Sequence, residues 1–252
     1  MEVIVFIVGL LMGSFYNVVG IRLPEKKSII KPRSHCIKCG HVLNWYENIP
    51  IISYLFLMGK CRKCKQSFSI MYPAMELFTG VLFLISYMLF GLSENFYLSL
   101  IIASLVVLIF ITDSIYMIIL DEALIVSGVL ILIIKFIYQG FMPALISLGH
   151  GMIIFLVIYA LMILGNYLFK KESMGGGDIK LSFIAGMVLG PYLGFFYIVF
   201  ASFLAFPYAI YVVIKNDDGI LPFGPFLATS MLFCFYNSEM LTQFLNRLFI
   251  IN

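Results

Sequence analysis

Two aspartates stand at the edges of strongly apolar stretches. Asp178 follows three glycines in Met174-Gly175-Gly176-Gly177-Asp178-Ile179-Lys180, where a hydrophobic segment begins. Asp113 closes another segment, Ser104 to Thr112, which reads SLVVLIFIT. A carboxylate at membrane depth is expensive, so each is a functional-site candidate by default. Two neighbouring carboxyls cannot both ionise cheaply. One keeps its proton while the other draws a proton from water, and that water attacks a peptide carbonyl. Such a pair titrates as a unit. The candidate catalytic residues are therefore Asp113 and Asp178.

Other machinery is missing. The serines lack a G-x-S-x-G elbow, and there is no H-E-x-x-H motif. The glycine run is not followed by G-K-S/T, as a phosphate loop requires. Its expected use is conformational: glycine tolerates φ > 0 and lets a peptide approach closely. The structural alternative for each aspartate is a helix cap or an ion pair. Asp121, eight residues after Asp113, is the main rival to it, or else a helix N-cap with Glu122 in the first turn. Glu76 suits capping or positioning as well as it suits chemistry.

A second constellation is made of cysteines. Cys36-Ile37-Lys38-Cys39 and Cys61-Arg62-Lys63-Cys64 are two C-x2-C turns separated by 21 residues. Each turn converges two thiolates, and two such turns make a tetrahedral four-sulfur site suited to zinc. Nearby lysine and arginine favour the thiolates. A closed site leaves no position for substrate, so the metal is structural and clamps a loop too small to fold alone. Redox use or free thiols are the alternative. His35 and His41 flank the first turn as spare ligands. Cys234, alone in an apolar span, and His150 are expected to pack.

These groups must be positioned by membrane helices. The chain has 252 residues, of which 62% are hydrophobic and 12% charged, with mean hydropathy +1.06. Soluble domains are nearer half apolar and a quarter charged. A span needs about 20 apolar residues. Eight segments qualify: 2–20, 73–91, 96–114, 122–140, 144–169, 179–190, 192–214 and 223–240. The sixth is short, so Gly190-Pro191 is either its turn or a break in one long unit. The first lacks a basic flank and a cleavage site, and reads as a retained helix. The expected fold is all-α: a polytopic membrane protein of about eight transmembrane helices. Helix 1–20 comes first, a zinc-binding loop fills 21–72, and a multi-helix core occupies 73–252.

Charge sets the orientation. Ten of the sixteen basic residues lie in the loop after the first span. Lys170, Lys171, Lys180 and Lys215 fall on the same side if the spans alternate; Lys135 and Arg247 do not. By the positive-inside rule that side is cytoplasmic. Asp113, Asp121, Asp178 and the Asp217-Asp218 pair then share the cytoplasmic face. A transporter would instead spread its acids along a pore, and a scaffold would leave Asp178 unexplained. The basic loop suits anionic lipid, and nothing in it suggests nucleic acid. No internal repeat is evident.

With these residues in place, the chain resembles the bacterial type IV prepilin peptidases. Gly13-Ser14-Phe15-Tyr16-Asn17 and Arg22-Leu23-Pro24 are similar to that family's first span and its exit. Ser34 to His41, Trp45 to Pro50, Cys61 to Cys64 and Tyr72-Pro73-Ala74-Met75-Glu76 continue the likeness. Thr112-Asp113 resembles the first catalytic aspartate, and Gly175-Gly176-Gly177-Asp178 the G-x-G-D of intramembrane aspartyl proteases. Pro222-Phe223-Gly224-Pro225 resembles a late cytoplasmic-side motif. Two departures are Ile37, where the family often has proline, and Leu120-Asp121, where it usually has Pro-Asp.

The resemblance implies a bifunctional enzyme of the bacterial cytoplasmic (inner) membrane. It would remove the short basic leader of prepilins or pseudopilins, serving type IV pili and type II secretion. It would then methylate the new N-terminal amine with S-adenosylmethionine. The cysteine loop goes with the methylating form. A peptidase without methylase activity is the alternative.

Overall fold

The computed structural model describes residues 1–170, 174–215 and 222–249. Lys171 and the Asp217-Asp218 pair lie outside the described residues. Among those described, the only β features are two isolated bridges, His35 with Val42 and Lys60 with Ser67. All else regular is helix. Five helices are long and apolar enough to cross a membrane: α1 (Glu2–Arg22), α3 (Met71–Phe90), α4 (Glu94–Tyr116), α6 (Phe141–Phe169) and α7 (Gly176–Ile214). The remaining α-helices are α2 (Ile52–Phe56), α5 (Asp121–Gln139), α8 (Gly224–Tyr236) and α9 (Ser238–Phe249), and one 3-10 turn covers Trp45–Asn48. The chain forms two compact units, Met1–Gly91 and Leu92–Asn252.

In the first unit α1 packs on α3 with almost no side-chain spacer. A Cβ on Gly9 would sit 2.8 Å from the Gly80 Cα, and one on Gly13 would sit 2.8 Å from the Glu76 Cα. Gly9 and Gly13 form a G-x-x-x-G face, the pattern that lets membrane helices approach closely. Without a hydrophobic drive inside lipid, such close contact is what holds the pair. Asn17 Nδ2 ties the two helices together by donating to the Tyr72 carbonyl at 3.1 Å.

In the second unit α4 is the buried centre, with Ile102, Ala103, Val107 and Ile111 fully enclosed. It packs on α5 and α8, while α6 packs along α7. Helix α7 is broken at Gly190, whose φ is 74° and ψ −179°. Ser182 and Tyr197 share a hydrogen bond of 2.7 Å across that break. Fifteen residues of straight helix would separate them by about 22 Å. The chain therefore reverses at Gly190-Pro191, and α7 is a helical hairpin. Of the two readings of that dipeptide, the turn is correct.

The last expected span, 223–240, ends early. Helix α8 stops at Tyr236, and α9 follows as a separate helix with Leu241 buried and Phe244 exposed. Its apolar positions at Leu241, Phe244, Leu245 and Leu248 follow amphipathic spacing and were legible in the sequence.

Candidate active site

Asp113 lies in the last turn but one of α4, and its side chain is buried. The helix ends just beyond it, where Met117 takes a left-handed φ of 55° and donates its N–H to the Asp113 carbonyl at 3.1 Å. The Gly224 N–H, at the start of α8, is directed at the Asp113 carboxyl. A Cβ on Gly224 would lie 3.1 Å from Asp113 Oδ2. That oxygen is buried and has no hydrogen-bond partner among the described residues. Gly224 belongs to the Pro222–Pro225 motif, and its role beside Asp113 was not read from the sequence. The spacing alone gave no way to place it there.

Asp178 lies in the first turn of α7. Its carboxyl takes the Gly175 N–H and interacts electrostatically with Asp113. Both expected catalytic aspartates thus belong to one constellation within the second unit. The glycines do not supply the positive φ expected of them. Among the described residues, none of Gly175, Gly176 and Gly177 has positive φ. Gly177 is needed for space, since a Cβ there would stand 2.9 Å from the Ile119 Cβ. Gly176 faces open space.

Asp121, the rival acid, is engaged elsewhere. Lys180 Nζ donates to its two oxygens at 2.8 and 2.7 Å, and both side chains are about half exposed. It is the first helical residue of α5 rather than an N-cap; Leu120 holds that position. His150 lies against the α7 hairpin, its carbonyl 2.8 Å from where a Gly186 Cβ would be. Cys234 is fully buried in α8, as packing predicts.

Glu76 links α3 to the loop and to α1. Its carboxylate accepts the Ile51 N–H at 2.8 Å and also faces Ser14. Ile51 is held at φ 59°, ψ −53°, a conformation a β-branched side chain rarely adopts. The Gly13, Ser14 and Asn17 positions of the resemblance thus each contact α3.

The four cysteines meet. Cys36, Cys39, Cys61 and Cys64 place their sulfurs within 4.8 Å of one another. The Cys36–Cys64 and Cys39–Cys61 sulfur separations are 3.6 and 3.9 Å. A tetrahedral zinc with bonds of about 2.3 Å requires sulfurs about 3.8 Å apart. The donor set therefore fits a four-thiolate metal ion. The N–H groups of Cys39 and Lys38 aim at Cys36 and, against burial, bring its thiol down to about 7. Cys64 and Lys63 do the same for Cys61, lowering it. Cys64 receives the Gln66 N–H, yet burial and the three other sulfurs push it up to about 11. Negative charge accumulates here only with difficulty unless a cation shares it.

The two turns are copies in three dimensions. Gly40 N–H donates to the Cys36 carbonyl and Lys65 N–H to that of Cys61, each at 2.9 Å. Cys36 N–H donates to His41 and Cys61 N–H to Gln66. Gly40 at φ 68° and Lys65 at φ 60° occupy the same left-handed position. Beyond the cysteines, the two turns share only the lysine before the second cysteine, Lys38 and Lys63, which is too little to mark a repeat in the sequence. His35 and His41 are not ligands: His35 Nδ1 contacts the Arg33 carbonyl at 2.9 Å, and His41 Nε2 faces Glu47.

Comparison with known proteins agrees with this arrangement. The Bacterial Peptidase A24 N-terminal domain matches residues 7–90, and the Type IV leader peptidase family matches residues 100–210. A Bacillus subtilis (strain 168) prepilin leader peptidase/N-methyltransferase is 33% identical, covering 96% of each chain. The chain belongs to the type IV leader peptidase family. Another relative of the same description, from Vibrio cholerae, is 31% identical over 93% of this chain and 96% of its own. A third, from Myxococcus xanthus, is 38% identical over 74% of this chain and 56% of its own. No solved structure matches the chain. In this leader peptidase, the first family match falls within the unit that holds the cysteines and the second begins in the unit that holds the aspartates.

Proposed function

We propose that this chain removes the leader peptide of type IV prepilins at the cytoplasmic membrane face and methylates the N-terminus so exposed. What supports the reading is that Asp113 and Asp178 lie in one unit, near enough for their charges to interact, in a chain of the leader peptidase family. The unpartnered Asp113 Oδ2 supports it, because a buried oxygen without a donor is a place for a water or a substrate group.

The chemistry follows from two carboxyls sharing one proton. The ionised carboxylate takes a proton from water as the water oxygen bonds to the scissile carbonyl carbon. The protonated partner gives its proton to the carbonyl oxygen. In the collapse, the first carboxyl returns its proton to the departing amine as the C–N bond breaks. The second recovers a proton from the gem-diol hydroxyl. The Gly175 and Gly224 N–H groups hold the two carboxyls in orientation.

Zinc is the metal we assign to Cys36, Cys39, Cys61 and Cys64, where it would cross-link the loop and leave no open coordination position. S-adenosylmethionine is the donor the family implies. A cavity of about 450 Å³ between α5, α6 and the first half of α7 is lined by side chains such as Leu124, Leu132, Met152 and Ile184, with Asp121 and Lys180 paired at its edge. That lining does not suit a charged nucleoside.

Eight crossings remain the topology we favour. The α7 hairpin counts as two, and α5 and α8 join α1, α3, α4 and α6. Loop 21–72 and the aspartates then face the cytoplasm by the charge bias. The test is incubation of the purified protein with a prepilin and S-adenosylmethionine, followed by the product mass. Loss of the leader and gain of a methyl group are read separately. An intact prepilin would overturn the reading.

A further inference from the structure

Loop 21–72 is rich in charge, yet one face of it is apolar and bare. In and just after α2, Ile52, Leu55, Phe56 and Met58 are 51, 67, 84 and 83% exposed. Scattered exposed leucines need no explanation, but a contiguous bare cluster marks an interaction surface.

Its height relative to α3 is fixed. The Glu76 carboxylate accepts the Ile51 N–H at 2.8 Å, and Ile51 immediately precedes α2. Glu76 lies five residues inside α3, which starts at Met71. Five residues of helix rise about 7.5 Å. The start of α2 is therefore level with the second turn of a membrane helix, not out in the cytosol. That depth matches the headgroup–acyl boundary, where amphipathic segments bury an apolar face by about 5–10 Å. The flank also suits this place. Lys60, Arg62, Lys63 and Lys65 follow α2 directly and are all exposed, as contact with anionic headgroups requires.

The geometry points to the α2 face as a membrane anchor: Ile52, Leu55, Phe56 and Met58 insert into the cytoplasmic leaflet. Beside them, Lys63 and Lys65 meet anionic lipid headgroups. The cysteine site is thereby held down on the bilayer surface at a set depth. Glu76 serves as the pin, since it holds the strained Ile51 turn that aims α2 at the lipid. This role goes beyond the two enzymatic activities and does not depend on either.

The chain has a single tryptophan, Trp45, which makes a fluorescence test direct. Full-length protein with Trp45→Phe and Phe56→Trp is reconstituted into phosphatidylethanolamine–phosphatidylglycerol vesicles. The acyl chains carry bromine near the headgroup or near the bilayer centre. Shallow bromine should reduce the emission about twofold or more, with deep bromine and aqueous acrylamide having less effect, as an interfacial depth requires. A Leu55→Trp probe in the same background should respond alike. Acrylamide quenching without bromine quenching would put the face in water and overturn the proposal. Protection from both would mean that protein covers it, and would overturn the proposal too. A leader-cleavage assay on the same vesicles reads the enzymatic proposal independently.

Discussion

Lys135 Nζ donates to the Met187 carbonyl at 2.8 Å, and that carbonyl is the one Pro191 leaves without a helical donor. In an unbroken helix the N–H of residue 191 would reach it, but proline has none. A cation at a helix C-terminus also meets the negative end of the macrodipole. This accounts for one of the two basic residues that disobey the charge bias. Lys135 caps the first arm of the α7 hairpin, whose other end carries Asp178.

Lys135→Met should therefore destabilise the protein by about 2 kcal/mol, the scale of a hydrogen bond to a charged group. Lys135→Arg, which keeps a donor and a charge, should recover much of that. Thermal unfolding in detergent checks both. Equal stability of Lys135→Met and the parent protein would show that the cap contributes nothing.

Asp113→Asn and Asp178→Asn should each lower leader cleavage by about a thousandfold, the usual reach of general acid–base groups, with membrane insertion unchanged. Asp121→Asn should remain active, because it breaks a half-exposed ion pair with Lys180, and such pairs contribute about 1 kcal/mol or less. An inactive Asp121→Asn beside an active Asp113→Asn would reverse the assignment.

The glycines divide by space. Gly177→Ala drives a methyl against Ile119, 2.9 Å away, and overpacking of this kind costs about 1–3 kcal/mol. It should depress cleavage by moving Asp178. Gly176→Ala meets nothing within 4 Å and should be neutral. Parallel cleavage assays on the two variants would expose an error if Gly176→Ala proved the more harmful.

The metal site gives its own test. Purified protein should carry about one zinc per chain, and replacing both cysteines of either turn should release it. Lys65→Gly should slow zinc loss to a chelator, while Gly40→Ala should hasten it, since a left-handed residue with a side chain is strained by about 1–2 kcal/mol. Glu47 adds a pH dependence. The Asn44 N–H, against burial and with help from His41, holds its carboxyl below the ordinary 4.5. A depressed acid contributes stability that is complete above its unfolded value and is lost as pH falls through the folded one. The Glu47 carboxyl resonance should therefore titrate below 4.5, and Glu47→Gln should remove that component of acid sensitivity.

Much of this was legible in the sequence because the chemistry is concentrated in a few residue types. Helices in lipid must satisfy every backbone group internally, so hydropathy alone located the five helices long and apolar enough to cross a membrane. Cysteine spacing located four thiols that converge and could hold a metal ion, because a C-x2-C turn brings its two sulfurs together locally. What escaped was set by contacts between distant segments. Gly224 beside Asp113, Glu76 beneath Ile51 and Lys135 over Met187 join residues far apart in the chain. Nothing in their spacing announces the partner. Gly9 and Gly13 are different: their G-x-x-x-G pattern was present and unread.

The two activities should separate genetically. The aspartates belong to the Leu92–Asn252 unit and the cysteines to the Met1–Gly91 unit. Proteolysis needs an activated water, whereas methyl transfer needs a neutral amine and a donor, so one carboxyl pair does not readily serve both. Asp178→Asn should abolish cleavage yet still transfer labelled methyl from S-adenosylmethionine to mature, unmethylated pilin. Replacing Cys61 and Cys64 should harm that transfer at least as much as cleavage, because it unpins the loop. If folded Asp178→Asn protein loses methyl transfer as well, the two reactions share a site. If the parent protein transfers no methyl group, the chain is a peptidase alone, and the cysteine loop serves architecture.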